Sequence, residues 1–317
     1  MRAIRLEDGV VVREDLPMPS LGPGEALVRL LQAGICATDL ELARGYLPFR
    51  GTLWHEFVGL VVEAADAPAM VGQRVVVEIN LACWDCHQCR RGRPNHCDRR
   101  QVLGIRGRDG AFADYLSLPL GNLHPVSDSI PDEAAVFTEP LAAALAILQQ
   151  VAIHPDDRVL VLGAGRLGQL IARVLRLTGC DLSVVARYPR QRELLAMTNV
   201  ASIAEDAVAE RRSDLVVEAT GSPGGLALAR RAVRPRGAIV LKSTYKGSIE
   251  MDISALVVDE IRLVGSRCGP FPAALRVLEH RLVDPLPLIE ARFPLQQGVE
   301  ALRQAAEPGR LKVLIHP

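Results

Sequence analysis

The stretch that decides the fold is Arg158-Val-Leu-Val-Leu-Gly-Ala-Gly-Arg-Leu-Gly168, in the middle of the 317-residue chain. Its apolar start, 158–162, is typical of a buried β-strand, and the pattern G-x-G-x-x-G at 163–168 opens an apolar helix that stops at Gly179. A second apolar strand, 182–186, follows within the length of a β-α-β unit. Between a strand and a helix, this glycine spacing predicts a turn that binds the pyrophosphate of a dinucleotide.

Residues of this turn and of two later strand ends are the candidate cofactor contacts. Gly163 permits the tight turn, Gly165 lets the backbone approach a phosphate, and Gly168 allows the helix to pack closely on the strand. The N-terminus of the helix faces the phosphate charge in such an arrangement. The predicted cofactor contacts are Gly163, Gly165, Arg166, Leu167, Gly168, Arg187 and Thr220.

The end of the second strand predicts which nicotinamide cofactor binds. An Asp or Glu there accepts a hydrogen bond from the ribose 2′-hydroxyl of NAD, whereas an Arg accommodates the 2′-phosphate of NADP. Here the residue is Arg187, with Arg190 and Arg192 after it and no acid before Glu193. The sequence therefore favours NADP over NAD, although a solvated basic loop would carry the same residues.

Strands and helices continue to alternate downstream. Apolar strands are predicted over 214–218, 237–241 and 260–265, with a helix over 226–233. Repeated β-α-β units give a doubly wound parallel sheet with helices on both faces. Upstream of 158, short Val- and Ile-rich runs alternate with proline and glycine turns, which is typical of a barrel-like β domain. The sequence thus predicts a two-domain α/β protein.

Composition excludes several classes of function. The 37 Lys and Arg residues balance 37 Asp and Glu residues, so no long-range field favours nucleic acid or an anionic membrane. The longest apolar run, 141–148, is far shorter than a membrane span, and no secretion signal is evident at the N-terminus. We expect a cytoplasmic protein with a small-molecule substrate and with no nucleic-acid or membrane partner.

Four cysteines form a compact metal-binding pattern. They follow the spacing C-x2-C-x2-C-x7-C and are Cys83, Cys86, Cys89 and Cys97. Four thiolates at these spacings can close a tetrahedral Zn²⁺ site, whose binding energy would hold a core-poor loop folded. Free thiols or a redox pair are the alternative, but redox chemistry requires only two cysteines. His87 and His96 lie among the thiols and are expected to be bystanders.

The stretch from Gly34 to Gly59 holds candidate ligands for a second metal. Cys36 offers a thiolate and His55 an imidazole, both donors that suit Zn²⁺, and Glu56 follows His55 directly. A catalytic zinc has three protein ligands and one open position. Taken alone, however, a cysteine and a histidine nineteen residues apart are more typical of an ordinary protein core than of a metal site.

Glu139 is a further candidate ligand. It precedes Pro140, which suits the first position of a helix predicted over 141–151. At a helix N-terminus the dipole favours a carboxylate, so Glu139 has a structural explanation as well as a functional one. Spacing alone does not choose between the helix dipole and a third metal ligand.

Together these motifs resemble those of the zinc-dependent medium-chain dehydrogenases, the superfamily of alcohol, polyol, threonine and glucose dehydrogenases. The matching segments are Gly34 to Asp39, His55-Glu56, Cys83 to Cys97, Glu139-Pro140-Leu141 and Gly163 to Gly168. The resemblance implies a GroES-like, β-rich catalytic domain over 1–140 with a structural-zinc lobe, a Rossmann domain over 141–267, and a segment over 268–317 that returns to the catalytic domain. It also implies an active site in the cleft between the domains.

The resemblance also assigns roles to residues. One zinc would be structural and held by the four cysteines, and a second would be catalytic. The implied ligands of the catalytic zinc are Cys36, His55 and either Glu56 or Glu139. Thr38 would take the substrate proton, and Asp39 would orient His55. Zinc would lower the pKa of the alcohol as a Lewis acid, and hydride would pass to the nicotinamide.

Two departures from the family pattern concern the substrate. Trp54 stands where the family usually has glycine before the histidine, and we expect its indole to narrow the pocket. Ala37 stands where some members carry a basic residue that binds phosphate. Substrate identity is therefore the part of the function that the sequence determines least.

We predict a zinc-dependent oxidoreductase that acts on an alcohol or polyol with NADP or NAD. The alternatives are a sugar 1-dehydrogenase or threonine-type dehydrogenase and, from another class, a nucleotide-binding homologue without turnover. The set Cys36, Thr38, His55 and Glu139 argues against the last. We also expect a homo-oligomer, a dimer or tetramer, in which strand 260–265 lies at a sheet edge that can pair with its mate.

Overall fold

A computed structural model describes residues 1–244 and 247–317 of the chain. Contacts between residues divide it into two units. Unit 1 comprises Met1–Glu139 and Phe271–Pro317, and unit 2 comprises Pro140–Pro270. The chain therefore begins unit 1, builds unit 2 as one continuous segment, and then supplies the remaining part of unit 1.

The described residues form nineteen strands and ten α-helices, numbered along the chain. The strands are β1 (Ala3–Leu6), β2 (Val10–Arg13), β3 (Glu25–Gly34), β4 (Gly51–Thr52), β5 (Phe57–Glu63), β6 (Arg74–Val77), β7 (Asn80–Leu81), β8 (Gln101–Leu103), β9 (Gly107–Arg108), β10 (Tyr115–Pro119), β11 (Leu123–Pro125), β12 (Arg158–Leu162), β13 (Asp181–Val185), β14 (Ala201–Ile203), β15 (Ser213–Glu218), β16 (Val233–Leu241), β17 (Arg262–Gly265), β18 (Ile289–Pro294) and β19 (Lys312–His316). The helices are α1 (Ala37–Ala43), α2 (His87–Arg90), α3 (Asp132–Ala135), α4 (Thr138–Gln150), α5 (Arg166–Arg176), α6 (Pro189–Ala196), α7 (Pro223–Ala232), α8 (Ile253–Val258), α9 (Phe271–Glu279) and α10 (Gly298–Ala305).

Unit 1 is organised around β3. This long strand pairs with β5, β10 and β19 in a seven-stranded sheet whose main path is β11-β6-β5-β3-β19-β18. β19 runs antiparallel to β3 and aligns Leu314 with Gly34. Two three-stranded sheets, β2-β1-β4 and β7-β8-β9, complete the β structure of the unit. The last strand of the chain thus lies directly beside the strand that leads to Cys36.

Unit 2 is built on a six-stranded parallel sheet of order β14-β13-β12-β15-β16-β17. Apolar residues of β12, from Val159 to Leu162, are almost fully buried, as expected for a strand covered by helices on both faces. This order is typical of the dinucleotide-binding α/β fold. The predicted doubly wound sheet is therefore confirmed, and its first strand, 158–162, has the predicted boundaries.

The helix that carries Glu139 begins earlier than predicted. It starts at Thr138 rather than at Leu141, because the chain continues from α3 with almost no connection. The Thr138 hydroxyl donates to the Ala135 carbonyl at 2.7 Å across this junction. Pro140 is therefore the third helical residue, where its missing N–H removes no intrahelical hydrogen bond. Glu139 remains in the first turn.

The described helices were also compared with the length and hydrophobicity of membrane-spanning helices. None of those formed by residues 1–244 and 247–317 combines the length and the hydrophobicity that a bilayer crossing requires.

Candidate metal and cofactor sites

Cys36 lies in the turn between β3 and α1. The carboxylate of Asp39, three residues on, accepts a hydrogen bond from the Cys36 backbone N–H at 3.1 Å, as N-terminal capping requires. The Cys36 thiol contacts the Thr38 hydroxyl oxygen at 3.7 Å. A single short turn therefore presents a thiol, a hydroxyl and a carboxylate together.

His55 and Glu56 immediately precede β5 and are almost fully buried. His55 Nδ1 lies 3.8 Å from Asp39 Oδ1, which is longer than a hydrogen bond. These two buried atoms have no hydrogen-bond partner among the described residues. Buried polar atoms are rarely left unsatisfied, so an ion or a water molecule fits this position.

Five predicted residues come together around His55, and we call them the mixed site. Its members are Cys36, Asp39, His55, Glu56 and Glu139. Ligand atoms of Cys36, Asp39 and His55 lie within 4.8 Å of one another, and so do those of His55, Glu56 and Glu139. Sulfur, nitrogen and oxygen donors in such a partly buried cluster suit Zn²⁺. The residues therefore fit a catalytic zinc.

The electrostatics of the mixed site favour a positive charge. Burial and the nearby Glu56 carboxylate raise the pKa of the Cys36 thiol. Burial also raises the pKa of Asp39 to about 7. Burial opposes the charged form of His55, but Asp39 and the Cys36 sulfur raise its pKa well above the usual value. Without a metal, the cluster thus holds protons that a divalent cation would replace.

Lys312 is a residue of this region that the sequence analysis missed. It begins β19, is 2% exposed, and forms an ion pair with Glu56 Oε2. Its ammonium group also donates to the Ile35 carbonyl at 3.4 Å and lies 5.3 Å from the centre of the Phe137 ring. A lysine at the start of an apolar strand, followed by Val-Leu-Ile, was the available signal, because buried lysines are rare unless paired.

The four cysteines at 83–97 also come together, and we call this segment the four-cysteine lobe. The Sγ–Sγ distances are 3.4 Å for Cys83–Cys97, 3.5 Å for Cys86–Cys89 and 3.9 Å for Cys86–Cys97. Four sulfurs bonded to zinc at 2.3 Å would lie about 3.8 Å apart in a tetrahedron. The lobe therefore fits a structural zinc.

Neighbouring groups set the protonation of these thiols differently. Backbone N–H groups of Asp85 and Cys86 donate to Cys83, and with the Arg99 guanidinium at 3.4 Å they lower the pKa of Cys83 to about 6. Burial and the adjacent Cys86 sulfur raise the pKa of Cys89 to about 12. Cys83 is thus ready to bind metal as a thiolate, whereas Cys89 must lose a proton to do so.

In the turn after β12, steric contacts explain why glycine is required at two positions. Gly163 has a φ of 97°, and a Cβ on it would lie 2.8 Å from the Ala219 carbonyl oxygen. A Cβ on Gly168 would overlap the Gly163 carbonyl. Around Gly165, in contrast, a Cβ would meet no atom within 4 Å. The turn therefore packs α5 tightly on β12 and leaves open space at its middle glycine, which fits a pyrophosphate.

The other predicted cofactor contacts lie around this turn. Arg166 and Leu167 begin α5. The Arg187 side chain is 75% exposed, and its nearest acidic partner, Glu205, lies 3.5 Å away. The Thr220 hydroxyl donates to the buried Glu218 carboxylate at 2.5 Å. Arg187 therefore forms no short ion pair with any described residue, whereas the Thr220 hydroxyl is hydrogen-bonded to Glu218.

Comparison with known proteins places the chain in a family. The alcohol dehydrogenase GroES-like domain family matches residues 22–128. L-galactonate-5-dehydrogenase of Escherichia coli strain K12 is 31% identical over 271 residues, which cover 80% of this chain and 78% of that relative. Erythritol/L-threitol dehydrogenase of Mycolicibacterium smegmatis is 29% identical over 95% of this chain and 93% of the relative.

A solved structure extends the comparison to the whole chain. A proposed zinc-binding dehydrogenase of Sinorhizobium meliloti 1021, bound to NADP, superposes with a TM-score of 0.92 at 28% identity. The match covers 100% of this chain and 99% of that chain. On these similarities, the chain belongs to the zinc-dependent medium-chain dehydrogenase/reductase superfamily.

Proposed function

We propose that the chain is a zinc-dependent oxidoreductase that transfers hydride between an alcohol or polyol and NADP, with NAD as the alternative cofactor. The observation that carries this proposal is the mixed site, where a half-buried thiol and a half-buried carboxylate converge on a buried imidazole and two buried carboxylates. Two of its buried atoms, Asp39 Oδ1 and His55 Nδ1, lack partners among the described residues. The four-cysteine lobe would hold the structural zinc.

Within the mixed site, Cys36, His55 and Glu139 are the proposed zinc ligands. Glu139 Oε and Glu56 Oε both lie near His55, so distance alone does not choose between the two acids. Glu56, however, forms a buried ion pair with Lys312. A carboxylate that neutralises a buried ammonium group is a poorer ligand for a second cation, which favours Glu139.

The residues around the ligands have separate tasks. Zinc in such a site supplies Lewis acidity toward an alcohol or carbonyl oxygen. The Thr38 hydroxyl, 3.7 Å from the Cys36 sulfur, accepts the proton of the substrate hydroxyl and passes it toward solvent. Asp39 fixes the Cys36 turn through the backbone N–H and faces His55, whose orientation it restricts.

The cofactor is held by unit 2. The glycine turn and the N-terminus of α5 bind the pyrophosphate, and Arg187, two residues after β13, binds the 2′-phosphate of NADP. The high exposure of the Arg187 side chain supports this, because an exposed guanidinium can reorient toward a ligand. We further propose that 1–140 with 268–317 forms the catalytic domain and 141–267 the cofactor domain, which the two units support.

A polyhydroxylated substrate is favoured within this chemistry. The two relatives described above are named L-galactonate-5-dehydrogenase and erythritol/L-threitol dehydrogenase, and both names refer to polyhydroxylated substrates. A sugar 1-dehydrogenase and a threonine-type dehydrogenase are the alternatives. A homologue that binds nucleotide without turnover is the alternative from another class.

We also propose that the protein is a homo-oligomer that pairs through β17. This strand ends the sheet order of unit 2 among the described residues and therefore presents an open edge. Exposed apolar side chains lie on it and on the preceding helix α8, and these are Ile253, Val257, Val258 and Leu263. A cytoplasmic location is proposed as well, because the clustered thiols of Cys83, Cys86, Cys89 and Cys97 suit metal binding in a reducing compartment.

The test begins with zinc per chain, measured by elemental analysis on protein purified without chelator. We expect two equivalents, followed by turnover of alcohols, polyols or aldoses in a panel assayed with NADP and with NAD. Cys36→Ala should lower kcat by about a thousandfold or more, because it removes a zinc ligand, and should leave NADPH binding intact. Cys180→Ala, which changes a cysteine of unit 2 outside the mixed site, is the matched control.

Other outcomes would redirect the assignment. Full turnover by Cys36→Ala would remove the zinc mechanism. Two equivalents of zinc with NADPH binding but no turnover across the panel would favour the non-catalytic homologue. A single zinc that is lost in Cys97→Ser and kept in Cys36→Ala would mean that only the four-cysteine lobe binds metal.

A further inference from the structure

The residue before His55 has an unusual backbone conformation. Trp54 has a φ of 98°, in the region that favours glycine and that bulky side chains rarely adopt. Its indole is fully buried. A strained backbone of this kind persists only where the surrounding structure holds it, so the contacts of Trp54 require an explanation.

Contacts on the main chain hold the Trp54 turn in place. The Trp54 carbonyl accepts a hydrogen bond from Ala111 N–H at 2.9 Å. A Cβ on Gly104 or on Gly110 would overlap the Trp54 backbone, so the facing chain can approach only because both residues are glycine. The left-handed turn before His55 is therefore enclosed by the segment 104–111.

The Trp54 indole also contacts a second segment, the one that contains Gly34 and Cys36. The ring stacks on Phe112, with 3.3 Å between ring centres and 17° between ring planes. The indole Nε1–H donates to the carbonyl of Gly34, two residues before Cys36. The Gly34 N–H in turn donates to the Glu56 carbonyl at 2.8 Å. One side chain thus links the segment that carries His55 to the segment that carries Cys36.

We propose that Trp54 is a positioning residue for the catalytic metal. Its backbone sets the left-handed turn that presents His55, and its indole fixes the distance between the His55 and Cys36 segments. Neither task involves contact with substrate or cofactor. The inference rests on the proposed function, because it assigns Trp54 a role only if Cys36 and His55 share a metal.

Four variants separate these tasks. Trp54→Phe keeps a ring to stack on Phe112 and removes the N–H donor. Trp54→Ala and Trp54→Gly both remove the ring, but only glycine adopts the positive φ without strain. Tyr115→Phe is the matched control, since it likewise removes one hydrogen-bonding group from an aromatic side chain, and Tyr115 lies on β10 in unit 1, outside the mixed site and the four-cysteine lobe.

The measurement is zinc retained per chain during dialysis of the full-length protein against increasing concentrations of a competing chelator. Zinc in the four-cysteine lobe is the internal reference. We expect the catalytic zinc to bind about fivefold to tenfold more weakly in Trp54→Phe, which corresponds to one lost hydrogen bond. Trp54→Gly should retain more zinc than Trp54→Ala, and Tyr115→Phe should equal the parent protein.

Cobalt substituted for the catalytic zinc gives a second measurement, which a general loss of stability would not change. Its visible absorption bands report ligand geometry and should shift in Trp54→Phe at unchanged circular dichroism. Equal zinc retention and equal cobalt spectra in Trp54→Phe and the parent would overturn the inference. If Phe and Ala variants fail to fold, retention by Trp54→Gly equal to that of the parent would overturn it as well.

Failure of the proposed function would look different. A parent protein that holds only the zinc of the four-cysteine lobe would remove both proposals together. A parent with two zincs and normal turnover, accompanied by a Trp54→Phe variant that is identical in every measurement, would remove only the role of Trp54.

Discussion

Unit 1 contains two potential zinc sites that are built in different ways. The four-cysteine lobe takes four identical donors from the fifteen residues 83–97. The mixed site takes thiol, imidazole and carboxylate donors from positions between 36 and 139. A lobe of this kind needs little more than its metal to become ordered, whereas the mixed site forms only when the separate segments that carry Cys36, His55 and Glu139 have come together. Local sequence therefore specifies the first site, and tertiary structure specifies the second.

The ion pairs near the two sites also differ, in their exposure to solvent. The acid beside the lobe, Asp85, lies at the surface with its partners Arg90 and Arg99 at 2.8 and 2.9 Å. The acid beside the mixed site, Glu56, is buried with Lys312. Solvent screens the first set of ion pairs and not the second, so equivalent substitutions should have unequal effects.

The largest effect is expected from Cys97→Ser. This change removes a buried thiolate from the lobe, and structural zinc contributes about 10–16 kcal/mol of apparent binding free energy in zinc-finger peptides. We expect zinc to fall from two equivalents to one and the segment 83–97 to become susceptible to limited proteolysis. Cys36→Ala should also lose one zinc but should leave that segment resistant. Proteolysis of the lobe in both variants, or in neither, would contradict the distinction.

An intermediate effect is expected from Lys312→Met. The methionine would fill similar space but would leave the buried Glu56 carboxylate without its counter-ion, which costs about 3–5 kcal/mol. Urea unfolding should show this loss for the single variant. The double variant Lys312→Met/Glu56→Gln should recover much of it, because a neutral amide needs no counter-ion. A single variant as stable as the parent would mean that Glu56 finds another positive partner.

The smallest effect is expected from Asp85→Asn. Arg90 and Arg99 hold the pKa of Asp85 below its usual value, but all three side chains are exposed. We expect the zinc affinity of the lobe to change by less than about fivefold, as measured by chelator competition. A larger change would show that surface charge, rather than thiolate geometry alone, sets affinity in the lobe, and would reduce the contrast between the sites.

The contrast between contacts among sequence neighbours and contacts among distant residues also explains which features the sequence predicted. The strand and turn at 158–168 were predicted with correct boundaries because every residue involved is a sequence neighbour. The assembly of the four cysteines was predictable for that reason too. Lys312 was not predicted, since its partner Glu56 lies 256 positions away and no local pattern connects them.

Trp54 shows a different limit. The sequence revealed that a bulky residue replaces the usual glycine, but not how the chain tolerates it. The answer depends on Gly104, Gly110 and Phe112, which belong to a facing segment more than 45 positions downstream. Likewise, the start of α4 at Thr138 depended on the preceding helix α3 rather than on the proline that the prediction used.

The position of β19 has a consequence for how the protein is made. Translation completes the whole of unit 2 before the ribosome reaches Lys312, so a nascent chain exposes β3 without one of its neighbours and Glu56 without its counter-ion. Unit 2, a single continuous segment, can fold during synthesis. The sheet of unit 1 is completed only when β19 has been synthesised. The mixed site therefore matures after the segment of unit 2 has been made.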